Sequence, residues 1–332
     1  MRIAIPKKLT ALAVSAVLLS LRNRESEKSL EIDFSSIDFV YPFGSIALLT
    51  GMQGLIKNRK TAGLETVWNV DVINSNGCSY LQRFGFFDHL GVQALASLKP
   101  LQVGNSRFLL IERINRDYFE FEGIPVQQKL DHFCMQLAKI LLQTTEEHAP
   151  QVSAIAWSLR EIVRNVFEHA DTADAYVTAQ SWTNGTVELA IGDCGIGIEA
   201  GLSKAFELTD GVHALRMAIL PGITEYQGPE TRDKWQNSGF GLYMLSEISK
   251  EFGSFVIGSS QAMLSVDKRG ASVARAGFWT GTTVGITLKI PPDTYWENLL
   301  ERTKLLGEEK AKSITGARAH ASVSSGSPWR GQ

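Results

Sequence analysis

Three polar residues spaced four apart, Glu161, Asn165 and His169, stand in the stretch SLREIVRNVFEHA at 158–170. Positions four apart share one face of a helix, so a carboxylate, an amide and an imidazole would line up there as a site. Leu159, Ile162, Val163, Val166 and Phe167 recur at helical spacing and give the same segment an apolar stripe. A second set lies in IGDCGIGI at 191–198. There an alternating strand over 186–191 breaks into a turn that begins with Asp193, and Gly195 and Gly197 would let the backbone approach a ligand closely. Two further segments complete the group, SGFGL at 238–242 and GTT at 281–283.

Taken in chain order, these four segments resemble the nucleotide-binding motifs of the GHKL superfamily, which holds gyrase, the heat-shock chaperone, the histidine kinases and the mismatch-repair ATPases. Glu161-xxx-Asn165 matches its N-box. Asp193-x-Gly195-x-Gly197-Ile198 matches its first glycine box, and Gly239-x-Gly241-Leu242 its second. Gly281-Thr282 matches the strand-end threonine that closes the adenine pocket. One such motif alone is weak, whereas four in order over roughly residues 150–292 make a specific signal.

The resemblance implies ATP and Mg²⁺ as ligands. It makes Glu161 the general base that orients water toward the γ-phosphate, since a base needs a carboxylate near the phosphate and off the metal. It makes Asn165 the Mg²⁺ ligand, because magnesium takes one or two hard protein oxygens together with phosphate oxygens and water. Asp193 would accept a hydrogen bond from the adenine amino group, where guanine offers a carbonyl. His169, in an EHA sequence like that of anti-sigma kinases, would contact phosphate or a lid. Gly239 and Gly241 open an apolar helix from Leu242, whose first amides would hold phosphate. Each residue also has a plainer reading: a helix-surface Glu or Asn, a structural His, a turn-forming Asp, simple turn glycines.

A second resemblance covers roughly residues 28–92. LEIDFSSIDFVYPFGSIALL and YLQRFGFFDHLG resemble the strand–turn–helix outline of a STAS domain, the fold of anti-anti-sigma factors. The turn reads Tyr41-Pro42-Phe43-Gly44, where those factors carry a phosphorylatable serine. Ser35, Ser36 and Ser45 remain as acceptors, Ser45 reads as a helix N-cap, and Phe43 as a ring on which a protein partner docks.

The implied fold class is α/β (α+β). A STAS-like α/β interaction domain would span 1–105, a connecting strand and helix 106–149, and a GHKL α/β sandwich (the Bergerat fold) 150–292, with helices on one face of a mixed sheet. Residues 206–237, with Pro221-Gly222 and Gly228-Pro229, read as a mobile lid in which Arg232 and Lys234 either neutralise phosphate charge or belong to a solvated charged loop. Beyond about Lys304 the composition turns to Lys, Ala, Ser and Gly, so 303–332 read as a disordered tail.

The 332 residues allow two cored domains, and a net charge of −2 gives no overall pull toward nucleic acid or membrane. Cys78, Cys134 and Cys194 are far apart and match no metal spacing, which reads as free thiols in a reducing, cytoplasmic setting. Met1–Lys8 is basic and Leu9–Leu21 largely apolar, like a signal peptide, yet the run is too short to span a bilayer and Arg22, Arg24 and Lys28 follow it. It reads instead as a short strand and a buried helix.

The expected function is an ATP-binding regulatory protein that couples nucleotide state to a protein partner. The alternative is an anti-sigma-type serine/threonine kinase. A histidine kinase would need an H-box, and His132 in LDHFCMQ lacks that pattern. A gyrase-like role would need a transducer domain after the last motif. The oligomeric state stays open.

Overall fold

The computed structural model describes residues 1–92, 108–120, 123–146, 148–225 and 238–322. The chain is a mixed α/β structure. It starts with β1 (Arg2–Ala4), β2 (Lys8–Leu9), α1 (Ala11–Asn23), β3 (Ser29–Asp33), β4 (Phe39–Val40), α2 (Pro42–Thr61), β5 (Glu65–Asn69), α3 (Asn76–Arg83) and α4 (Phe86–Leu90). Strands β1, β3 and β5 form a parallel sheet in that order, and β2 pairs parallel with β4. Parallel neighbours need crossovers, and α1 and α2 supply them.

Helix α2 begins at Pro42, whose fixed φ suits a first helical position. Residues 42–50 are buried on every side. The segment is mostly apolar, and its Ser45 and Thr50 hydroxyls donate to carbonyls of their own helix, as suits a helix enclosed by protein. At its far end the buried Arg59 donates to Thr66 Oγ1 at 2.9 Å and to the carbonyls of Glu25 at 2.7 Å and Glu27 at 2.8 Å, so its charge enters the interior with its donors engaged.

The rest of the chain runs β6 (Phe108–Asn115), α5 (Arg116–Glu120), α6 (Val126–Leu142), α7 (Pro150–His169), β7 (Asp174–Ser181), β8 (Val187–Asp193), α8 (Gly197–Leu202), α9 (Gly211–Ala218), α10 (Gly241–Phe252), β9 (Gly253–Ser259), β10 (Ala262–Asp267), β11 (Gly270–Arg275), β12 (Thr282–Leu288) and α11 (Trp296–Ala311). Its seven strands lie in the order β11-β10-β9-β12-β8-β7-β6, and every pair is antiparallel. The expected mixed sheet is therefore an antiparallel one. Tight turns join β7 to β8, β9 to β10 and β10 to β11, and β12 returns between β9 and β8.

Side chains alternate across this sheet. Val187, Leu189, Ile191, Val284, Ile286, Phe255 and Ile257 join one core with α6, α7, α10 and α11. The intervening Ala190 and Met263 join a second core with α1, α2, α3 and α4. Helices thus cover both faces, not one. A Cβ at Gly285 would lie 2.7 Å from the Phe43 ring, and one at Gly192 2.6 Å from Ile46 Cγ2, so missing side chains let α2 lie directly on the strands.

Four sequence expectations change here. Residues 108–115 and 126–142 are not a connector: β6 closes the large sheet and α6 packs on α7. The N-terminal part shares a core with the large sheet instead of hanging from it. Phe43 is 6% exposed and packs against Trp279, so its ring is the foot of α2 and offers no docking surface. Ser45 is not an N-cap: Tyr41 holds that position, and the buried Ser45 hydroxyl donates to the Pro42 carbonyl at 2.8 Å.

The expected disordered tail is ordered through 322. Thr303, Gly307 and Ala311, four apart, continue the buried side that Trp296, Leu299 and Leu300 begin in α11, and a Cβ at Gly307 would lie 2.5 Å from the Tyr243 ring. Beyond the helix, the Arg318 amide donates to the Gly222 carbonyl and the Ser322 amide to Ser238 Oγ, both at 2.8 Å. Small residues that seat a helix on aromatic rings carry almost no hydropathy, which is why composition misread the segment. The last ten residues, 323–332, lie outside the described residues. No helix among the described residues is long and apolar enough to cross a membrane.

Candidate functional site

Helix α7 lies across the large sheet with Leu159, Ile162, Val163, Val166 and Phe167 buried against it. Pro150 starts the helix, and Asp171 in a left-handed conformation (φ 52°) turns the chain out of it. Asn165 and His169 reach a cavity at the ends of β8 and β12. Glu161 lies behind them, 1% exposed, and is not a surface glutamate.

Glu161 belongs to a buried charge network. Arg164 Nη1 lies 3.3 Å and Arg160 Nε 3.4 Å from Glu161 Oε1. Arg164 also reaches Glu168 at 3.1 Å, and Arg160 reaches Asp131 at 3.2 Å. Burial pushes the Glu168 carboxyl up to about 7 despite Arg164, and burial likewise raises Asp131 against the pull of Arg160. Removing one member of such a network would leave an uncompensated charge in the interior.

Asp193 ends β8 at the floor of the cavity and is 1% exposed. Its Oδ1 accepts from the Gly195 amide at 2.8 Å and from the Thr282 amide at 3.3 Å. Burial drives its carboxyl up to about 7, with those two amides pulling the other way. Such a group is poised between acid and carboxylate near neutral pH, a condition common at functional sites.

Ser259, which the motif reading passed over, ties the three segments around Asp193 together. Its hydroxyl accepts from the Ile198 amide at 2.9 Å, donates to the Gly281 carbonyl at 3.0 Å and lies 3.1 Å from Thr282 Oγ1. Gly197 (φ +78°) and Gly239 (φ +77°) hold left-handed conformations that other residues rarely adopt. A Cβ at Gly241 would fall 2.8 Å from Glu161 Oε2 and 3.4 Å from Asn165 Nδ2, so α10 starts directly against the polar face of α7. Gly195 does different work: a Cβ there would overlap the Ala170 carbonyl, so it closes the turn onto the end of α7.

The cavity encloses about 760 Å³ of empty space, including its solvent-open mouth. Its walls are mostly apolar, with Ile162, Val166, Ile191, Ile257 and Val284 on one side and Ile198, Leu202, Ala218, Ile223 and Leu242 on the other. The polar groups at its lining are Asn165, His169, Asp193, Thr224, Glu225 and Thr282. Of the eleven residues singled out from sequence, nine line it: Asn165, His169, Asp193, Gly197, Ile198, Gly239, Gly241, Leu242 and Thr282. Glu161 and Gly195 stand behind it. Sequence reading missed Leu202, Ala218, Ile223, Thr224 and Glu225, which come from loops and short helices without a motif.

Residues 206–225 of the expected lid are described, and 211–218 form α9, capped by Asp210 accepting from the His213 amide at 2.9 Å. Arg232 and Lys234 lie outside the described residues. Among the described residues no three His, Cys, Asp or Glu side chains gather as a metal cluster. A metal at Asn165 would therefore need oxygens brought by a bound ligand. No family model matches the chain, and no curated protein or solved structure matches it either.

Proposed function

We propose that the chain is an ATP–Mg²⁺-binding regulatory protein of the GHKL type, with a STAS-like N-terminal layer that passes nucleotide state to a protein partner. The observation that carries this reading is convergence: four motifs spread over more than a hundred residues line one cavity with a buried carboxylate at its floor. An apolar slot with Asp193 and Thr282 at its end suits a planar base carrying an amino group. The first turn of α10, twelve residues long and without an acidic residue in that turn, offers amides and a positive dipole end to phosphate. Asn165 beside Gly241 would hold Mg²⁺ through its amide oxygen, and the bound metal would neutralise phosphate charge. Glu161, held by Arg160 and Arg164 with Oε2 toward Gly241, would serve as base.

The contact between α2 and the site supports the coupling. Ile46 and Thr50 press on Gly192, and Cys194 Sγ lies 3.5 Å from Gln53 Oε1. Both residues flank Asp193, so a shift of that turn on ligand binding would reach α2 directly. Ser35 and Ser36 are exposed on the turn after β3, whereas Ser45 is buried, so of these three serines a kinase acting within the chain would reach the first two.

Calorimetry with ATP and GTP, each with Mg²⁺, tests the reading. ATP should bind more tightly than GTP, and Asp193→Asn should weaken ATP by about 1–3 kcal/mol by turning an acceptor into a donor. Unchanged ATP affinity in that variant removes the adenine assignment. The same protein with γ-labelled ATP separates switch from kinase: label on Ser35 or Ser36 would favour transfer.

A further inference from the structure

Among the described residues, no lysine or arginine lines the cavity, although a polyphosphate would bring several negative charges into it. One source of compensation stands beside the cavity and is already engaged. Glu225 lines the cavity, and its Oε1 lies 3.4 Å from His169 Nδ1. Its Oε2 lies 3.0 Å from Lys204 Nζ, and a Cβ at Gly201 would lie 3.3 Å from the same oxygen, so the bare end of α8 lets the carboxylate sit this deep. Burial pushes the Glu225 carboxyl up, but the contacts with His169 and Lys204 outweigh it and hold the group below the ordinary glutamate range. A carboxylate gripped by an ammonium and an imidazole has the contacts a phosphate oxygen would have.

We propose that Lys204 and His169 form the seat for the terminal phosphate of a polyphosphate ligand, and that Glu225 fills this seat as an internal anion until the ligand displaces it. The inference rests on the nucleotide reading of the cavity. The Lys204 side chain is 56% exposed and can swing from Glu225 to an incoming phosphate without leaving water. Glu225 then acts as a threshold. A bare polyphosphate must evict a carboxylate of its own sign, while one whose charge is reduced by a bound divalent metal meets less repulsion. Glu225 thereby makes binding depend on the metal even without ligating it.

Calorimetry with inorganic tripolyphosphate and with ATP, each in Mg²⁺ and in chelator, tests this on the full chain. Glu225→Gln should tighten metal-free tripolyphosphate about fivefold, and Lys204→Ala should weaken it by a similar factor, as expected for one partly exposed ion pair. The Glu225→Gln gain should be smaller with Mg²⁺ present. Unchanged or weaker tripolyphosphate binding in Glu225→Gln overturns the proposal. So does a Lys204→Ala variant that matches the parent, and that exposed substitution leaves the fold intact. If the parent prefers ATP to GTP while both variants match it, the phosphate seat fails and the nucleotide reading stands. If the variants respond as expected while ATP and GTP bind alike, the seat stands and the adenine assignment falls. A parent that binds neither probe overturns both.

Discussion

The two faces of the seven-stranded sheet are built from the same strands, yet they bury opposite kinds of group. On one face glycines at 192, 258 and 285 bring helix and ring into direct contact: a Cβ at Gly258 would sit 2.5 Å from the Trp279 indole. Little there is charged, and the polar groups that are buried, such as Arg59 and Ser45, are spent on local carbonyls. The other face encloses Arg160, Glu161, Arg164, Glu168 and Asp193, and leaves a cavity where the strands end. The difference teaches which buried charges are structural. Arg59 closes its own loops, whereas Asp193 accepts two amides and still carries a large burial penalty. A penalty that local amides offset only in part is common at functional sites.

The largest expected effect breaks this comparison at Asp193. Its carboxyl keeps a proton in the folded state up to about pH 7, while the unfolded chain releases it near 4. Stability from this group is therefore full below about pH 4 and is lost as pH rises toward 7. Asp193→Asn removes the loss. The ligand-free variant should exceed the parent by about 4 kcal/mol at pH 8, from about three pKa units at 1.36 kcal/mol each, and by almost nothing at pH 4. Urea unfolding at both pH values measures it, and parallel pH profiles for variant and parent would show that Asp193 carries no such penalty.

A smaller effect is expected on the packed face. Gly285→Leu puts a side chain where Phe43 already lies and should destabilise the chain by about 3 kcal/mol. Its urea midpoint should fall at pH 4 and pH 8 alike, because the atoms nearest that Cβ belong to Phe43 and Val256, which do not titrate. A loss confined to one pH would mean that the two faces are not separate in kind.

The smallest effect sharpens the structural side. Ser45→Ala removes one buried hydroxyl that donates to the Pro42 carbonyl and should cost about 1 kcal/mol by thermal melting. ATP affinity should stay at the parent value. A changed affinity would instead make the start of α2 part of the ligand site.

Much of this was legible along the chain. The 3.6-residue recurrence of Leu159, Ile162, Val163 and Val166 predicts α7, and the alternation from Val284 onward predicts β12. Strand β10 was harder to read. Ala262–Leu264 is an unbroken buried apolar run and shows no alternation of polarity. The second half of helix α11 hid for the opposite reason, since its buried positions after Leu300 are Thr303, Gly307 and Ala311. Phe43 was read as a docking ring for a partner and is buried instead, because Gly285 and Trp279, which it packs against, lie more than two hundred residues away.

Residue type and spacing alone determined the polar face of α7, the turn at Asp193 and the glycines that admit a close backbone, because each depends on neighbours within one helical turn or one strand end. Tertiary structure decided what those residues meet. It set Glu161 between two arginines, put Glu225 and Lys204 beside the cavity, and laid α2 against the back of the Asp193 turn. These contacts join segments whose separation along the chain carries no periodic signal. Burial, and with it the charge state of Asp193, exists only once the sheet has gathered them.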